Sequence, residues 1–241
     1  HDHGDVMGTT IDQVAAALGG TVPRGGTIVI GAAPGARVLE QMAAERGSRV
    51  IRAWETSLAQ TDAGEPEWMR ANRTVAIAVA RQLGIEDDVA LRGMARARPD
   101  PGAATTSAWR VGSRDLSLID ATAANDPDSL ASILGPRTTP HLFVFHHRAD
   151  RPFRLRQFAD AALWSRPGDA VWVTGDRPDY LTWRRVRRGL QPTRAAVVSA
   201  ARLAEAMRRV SGSFPDISTV VCCGNTRGFR IENLRAAIEG A

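Results

Sequence analysis

Five short apolar runs rich in β-branched and aromatic residues recur in the second half of this chain, at residues 116–120, 141–145, 170–174, 195–199 and 219–223. They alternate with stretches of helical periodicity beginning near Pro127, Pro152, Pro178, Ala200 and Gly228. Strands joined by helix-length crossovers come back parallel, whereas a tight turn would have made them antiparallel. The alternation therefore predicts an α/β fold: a mostly parallel sheet with helices on both faces.

The first half is patterned the same way on a smaller scale. Thr10-Ile11-Asp12-Gln13 has capping-box spacing, and Val14, Ala17 and Leu18 supply an apolar face before Gly19-Gly20. Strand-like residues 27–30, a helical stretch 35–46 with Val38, Leu39 and Met42 in phase, and strand-like residues 49–52 predict a βαβ unit with parallel strands. Its Gly31-Ala32-Ala33-Pro34-Gly35 loop reads as a packing turn. Pro66 opens a further helix carrying Trp68, Met69, Asn72, Val75, Ala76 and Val79 at helical spacing, and another is expected over 87–98. Pro99-Asp100-Pro101-Gly102 and the small polar residues 103–107 mark the best boundary, dividing the chain into domains 1–103 and 104–241.

At 241 residues the chain has room for one large or two modest domains. No apolar run approaches the roughly 20 residues that span a bilayer, and no signal-peptide pattern is visible. The absence of an initiator Met leaves room for an upstream segment. Cys222 and Cys223 are adjacent in an apolar run, poor geometry for a disulfide and suited to a buried strand in a reducing compartment. The net charge of +5 is carried by arginine alone. Without lysine, Schiff-base catalysis, a P-loop lysine and a carbamylated lysine are excluded within this chain.

Several polar constellations suit chemistry. His3, between Asp2 and Asp5, is a possible divalent-cation ligand whose neighbouring carboxylates would orient the ring or hold outer waters; a solvated terminus is the alternative. Asn72 on an apolar helix has an amide suited to an adenine edge, or is a surface asparagine. Asp120, Asn125 and Asp126 follow an apolar run, where the ligand edge of an α/β sheet is expected; Asp126 before Pro127 is equally a helix cap. In His146-His147-Arg148-Ala149-Asp150-Arg151-Pro152-Phe153-Arg154, forked guanidinium groups suit carboxylates or phosphates, with solvation again the alternative. Gly224-Asn225-Thr226-Arg227-Gly228 is either an anion-facing loop or a close-packing turn.

In their order, these segments resemble the PgsB/CapB poly-γ-glutamate synthases of the Mur ligase superfamily, specifically the C-terminal portion. The resemblance rests on Asp2-His3-Gly4-Asp5 running into Val6-Met7-Gly8, on residues 72–85, on Gly93-Met94 and Pro99–Gly102, on Arg148-x-Asp150-Arg151-Pro152-Phe153, and on the Gly-Asn-x-x-Gly loop. It departs at His146, where the family pattern has asparagine. It implies the C-terminal part of a Mur-ligase-type ATP-binding domain followed by a Rossmann-like ligase domain. The implied activity is ATP-dependent formation of γ-glutamyl amide bonds through an acyl phosphate, with ATP and Mg²⁺ as cofactors. The implied roles are His3 at Mg²⁺, Asn72, Asp120 and Asn125 at the nucleotide, and Asp120, Asn125, Asp126, Arg148 and Arg151 in catalysis. The implied partners are glutamate, the poly-γ-glutamate chain, an upstream half carrying the P-loop, without which this portion would be inactive, and small membrane subunits. Location would be cytoplasmic, peripheral to the inner face of the membrane.

Two other classes compete. A nucleic-acid-binding module would explain the arginine excess, but aromatics make up only 5% and no recognition motif is present, so no nucleic-acid partner is expected. An inert Rossmann-like docking domain would not need Asn72 or Asp120. Within the ligases, peptidoglycan and folylpolyglutamate enzymes are the runners-up.

Overall fold

The computed structural model describes residues 4–56, 67–97 and 102–239. The chain divides into two compact units on either side of the step from Arg98 to Pro99. The first contains α1 (Gly4–Met7), α2 (Ile11–Leu18), β1 (Thr27–Ile30), α3 (Ala36–Glu45), β2 (Arg49–Arg52), α4 (Glu67–Gln82) and α5 (Asp87–Ala95). The capping box forms as its spacing predicts: the Thr10 hydroxyl accepts from the Gln13 N–H, and the Gln13 side chain accepts from the Thr10 N–H. β1 and β2 pair parallel, Thr27 opposite Arg49 and Ile30 opposite Arg52. A Cβ at Gly35 would stand 2.7 Å from that of Ala15, so the loop before α3 does act as a packing turn, letting α2 close on it.

The second unit runs β3 (Thr105–Val111), β4 (Arg114–Ala121), α6 (Pro127–Leu134), β5 (His141–His147), α7 (Pro152–Asp160), β6 (Ala170–Gly175), α8 (Tyr180–Val186), β7 (Ala195–Val197), α9 (Ala200–Arg208), α10 (Val210–Ser213), β8 (Thr219–Cys223) and α11 (Ile231–Glu239). Its six strands form one sheet in the order β3-β4-β8-β5-β6-β7, parallel throughout except for the β3–β4 hairpin. The sequence reading placed all five parallel strands and missed β3, taking its first residues for a linker. The missed signal was alternation at Ser107, Trp109 and Val111 before a Gly112-Ser113 turn, with Gly112 at φ +61°. The strand expected over 195–199 stops at Val197, because Ser199 is already the N-cap of α9.

Alternation along the strands splits the core in two. Phe143, Phe145, Val171, Val173, Val221 and Cys223 pack against α6, α7 and α8 through Leu130, Leu155, Phe158 and Val186. Leu142, Val144, Trp172, Val220 and Cys222 pack against α9, α10 and α11 through Leu203, Met207, Val210 and Leu234. The two cysteines thus belong to opposite faces, both as free thiols that burial pushes well above the ordinary range.

At the amino end of β5, the Asp169 carboxylate has no solvent exposure. It accepts from both terminal nitrogens of Arg137 (2.9 and 3.0 Å), from the His141 N–H (2.9 Å) and from the Arg166 N–H (3.1 Å). Removing one partner of such a pair leaves buried donors without an acceptor. Asp169→Ala should therefore lower unfolding stability by about 3 kcal/mol in urea titrations followed by near-ultraviolet circular dichroism. A change within error would show that water replaces the carboxylate.

Candidate functional site

β4, β8 and β5 lie side by side, and their carboxyl ends lead to opposite faces: β4 and β5 into α6 and α7, β8 into α11. Such a switch point opens a crevice outside the strand ends. There Asp120, Thr122, Asn125, Arg227, Arg230 and Glu232 line a cleft of about 560 Å³. Asp120, the penultimate residue of β4, is buried. Its Oδ1 accepts from the Thr122 N–H (3.1 Å) and hydroxyl (2.8 Å), and Oδ2 takes no hydrogen bond from any described residue. Gly102 reaches this turn at φ +81°, where a Cβ would lie 2.3 Å from the Thr122 hydroxyl and 2.8 Å from the Ala123 nitrogen.

Beneath the cleft is a polar lock. Arg154, in the first turn of α7, donates through Nη1 to the Gly224 carbonyl (3.0 Å) and to Asn225 Oδ1 (2.5 Å). The Asn225 amide donates to the His146 carbonyl (2.8 Å), and His146 Nε2 meets the Arg227 carbonyl at 3.2 Å, which requires the Nε2–H form. All three side chains are at least nine-tenths buried. The His146 ring stacks on Phe229, with centroids 5.5 Å apart. Gly224 and Gly228 have φ of +101° and +86°. A Cβ would meet the His146 carbonyl at 2.8 Å from the first and His146 Nε2 at 3.2 Å from the second. The Gly-Asn-x-x-Gly loop is thus pressed onto the end of β5, and the lock aims Arg227 and Arg230 at the cleft they line.

The residues singled out from sequence fare differently. Asp120 and Asn125 share the cleft. Asp126 does not line it: Oδ1 accepts from the Ser129 N–H (3.0 Å) and Oδ2 from the Ser129 hydroxyl (2.6 Å), capping α6 as the local reading allowed. Arg148 is clamped on Asp150 (2.9 and 2.5 Å), and Arg151 occupies the N-cap position of α7; neither lines the cleft. Asn72 is exposed on α4, beside but outside a separate cleft of about 320 Å³ lined by Gly31, Trp54, Arg70 and Thr74. His3 lies outside the described residues. Among the described residues, no three His, Cys, Asp or Glu side chains are grouped to hold a metal. Thr122 and Arg230 carry no individual role in the sequence reading, and Arg154 and Asn225 enter it only as members of the guanidinium run and of the Gly-Asn-x-x-Gly loop. The Arg154–Asn225 contact spans 71 residues of chain and so leaves no local signal, whereas Thr122 stands two residues from Asp120, the carboxylate it binds.

The model of the poly-gamma-glutamate synthase CapB C-terminal domain matches residues 107–241. The chain belongs to the poly-γ-glutamate synthase CapB family. Among curated CapB relatives, the capsule biosynthesis protein CapB of Bacillus anthracis is 34% identical over 189 residues, covering 75% of this chain and 41% of that protein. PGA synthase CapB of Bacillus subtilis (strain 168) is 34% identical over 170 residues, covering 67% and 43%. The chain therefore spans less than half the length of either CapB protein. Among solved structures, a bifunctional folylpolyglutamate synthase/dihydrofolate synthase with Mn, AMPPNP and L-glutamate bound superposes with a TM-score of 0.61 at 17% identity, covering 93% of this chain and 57% of that one. The α/β fold of this CapB-family chain is thus that of the Mur ligase and folylpolyglutamate synthase group.

Burial depresses the titration of His146 and His147, and pushes His141 down to about 4. These rings are held neutral in the fold, whereas the unfolded chain takes up their protons below about 6.5. Their contribution to stability is complete above that pH and is lost as pH falls below it, for His141 through about 4. His146→Gln should flatten the decline of melting temperature over this window. An unchanged slope would mean that His146 ionises as freely folded as unfolded.

Proposed function

We propose that this chain is the substrate-closing portion of an ATP-dependent γ-glutamyl ligase, and the cleft ringed by Asp120, Asn125, Arg227 and Arg230 is the observation that carries the reading. Carboxylate, amide and guanidinium groups converge where an α/β sheet takes its ligands. Guanidinium forks suit both a phosphate and a substrate carboxylate. The donor set fits a nucleotide with its cation, since a carboxylate oxygen without a protein partner stands beside cationic and amide donors. Membership of the CapB family, and the Mn, AMPPNP and L-glutamate held by a solved synthase of the same fold, support this choice of ligands.

In this reading a γ-carboxylate oxygen of the growing chain takes the terminal phosphoryl group of ATP and ADP leaves. The amine of an incoming glutamate then attacks the acyl carbon, phosphate departs and the amine gives up a proton. Mg²⁺ would offset the charge gathered by phosphates and carboxylates, and His3 is the ligand proposed for it. Asn125 orients the nucleotide, and Arg227 and Arg230 hold the departing phosphate and the glutamyl carboxylate. The P-loop is supplied by an upstream portion or a separate polypeptide, because this chain contains no lysine and no Gly-Lys-Ser/Thr. The enzyme would sit on the cytoplasmic side with small membrane subunits. No helix among the described residues is long and apolar enough to cross a membrane.

Glutamate-dependent ADP release tests this. The chain alone should release none, and the chain joined to a P-loop-bearing half should be active. In that form Asp120→Asn should lower the rate by about tenfold or more, and His3→Ala should raise the Mg²⁺ concentration needed for half-maximal rate. Full activity in the Asp120→Asn protein would contradict the assignment. An inactive joined form that still folds and binds ATP would favour an inert docking domain.

A further inference from the structure

The chain's charge is unevenly placed. Between residues 175 and 209 there are nine arginines and three carboxylates, a surplus that exceeds the +5 of the whole protein. The three carboxylates are already engaged. Asp176 accepts from the Ala149 N–H (2.7 Å), Asp179 caps α8 and meets Arg156 (3.1 Å), and Glu205 pairs with Arg209 (2.7 Å). Arg185 and Arg194 are met by Asp160 and Asp216. The guanidinium groups of Arg177 and Arg202 have no partner among the described residues.

Arg177, Arg202 and Arg209 stand around a groove of about 850 Å³ whose lining also includes Val197, Val198, Ala206 and the Glu205 carboxylate, which Arg209 offsets. The groove lies at the carboxyl ends of β6 and β7, on the same sheet edge as the Asp120 cleft. One side chain links the two: His146 stacks on Phe229, which lines the cleft, and a Cβ on Gly175, which lines the groove, would lie 2.7 Å from its Cε1.

We propose that this groove is a second binding site, separate from the reacting centre, for the finished part of the γ-glutamyl chain. The inference rests on the ligase reading given above and deepens it. A γ-linked polyglutamate has a backbone of methylenes and amides with one carboxylate on every unit. An apolar floor edged by unpartnered guanidinium groups matches that pattern, and each fork can take a carboxylate bidentately. A single-stranded nucleic acid would call for aromatic platforms, and no aromatic residue lines the groove. An anionic membrane would require a protruding surface, whereas this one is concave.

The test uses a fluorescent, short γ-linked glutamate oligomer and the 241-residue chain. Anisotropy at low salt should show binding that weakens as salt rises. Arg177→Gln/Arg202→Gln should weaken it by about tenfold or more, and Arg177→Lys/Arg202→Lys should recover part of it. Arg24→Gln/Arg96→Gln, with the same charge loss in the first unit, should bind as the parent does. Equal oligomer binding by the groove variant and the parent, with matching thermal melts, would overturn the proposal. Loss of binding only to phosphatidylglycerol vesicles or to single-stranded DNA, with oligomer binding intact, would overturn it too.

In the form joined to a P-loop half, the groove variant should release ADP normally with single-glutamate acceptors and make shorter polymers. Unchanged polymer length there would count against the groove. If the joined parent released no ADP with glutamate while the groove still bound the oligomer, the ligase reading would fail and the binding site would stand.

Discussion

A guanidinium buried under the ends of parallel strands must find oxygen acceptors, and Arg154 finds them on a loop 70 residues away. That requirement fixes much of the second unit. Through Gly224 and Asn225, α7 is tied to the loop after β8; through the Asn225 amide, that loop is tied to β5. The neighbouring β5 and α7 are thereby held to a loop about 70 residues further on, at the strand ends where the connections turn to opposite faces. The glycines at 224 and 228 follow from the same constraint: a Cβ at 224 would collide with the His146 carbonyl, and at 228 it would crowd the His146 ring from a backbone at φ +86°.

The lock separates structural from exposed charge. Arg137, Arg154 and Asp169 are satisfied inside the fold, while Arg227 and Arg230 are carried on the outer side of the same loop and face the cleft. Asp176 adds a second tie by accepting from the Ala149 N–H, which binds the loop after β5 to the loop after β6. One rigid edge therefore presents two differently charged concavities: the mixed cleft around Asp120, and the arginine-edged groove beyond Gly175.

Much of the fold was legible in sequence because its signals are local. Capping at Thr10 and Asp126 and the βαβ unit at 27–52 each depend on residues close in the chain. So do the five parallel strands. The edge strand β3 escaped because its residues are small and polar at the start, and its pairing with β4 supplies what its composition lacks. The site was only half legible. Asp120 and Asn125 could be placed by their position after an apolar run. Arg148 stands outside the cleft, its fork taken locally by Asp150 two residues on. Arg154 and Asn225 act through contacts that no local pattern encodes.

The most direct check of the central claim is hydrogen–deuterium exchange on this chain joined to a P-loop-bearing half, with and without Mg²⁺, AMPPNP and glutamate. If the edge above the Arg154 lock closes on the ligands, amides in residues 120–126 and 226–230 should gain protection together. Protection confined to the first unit, with both segments unchanged, would contradict the account.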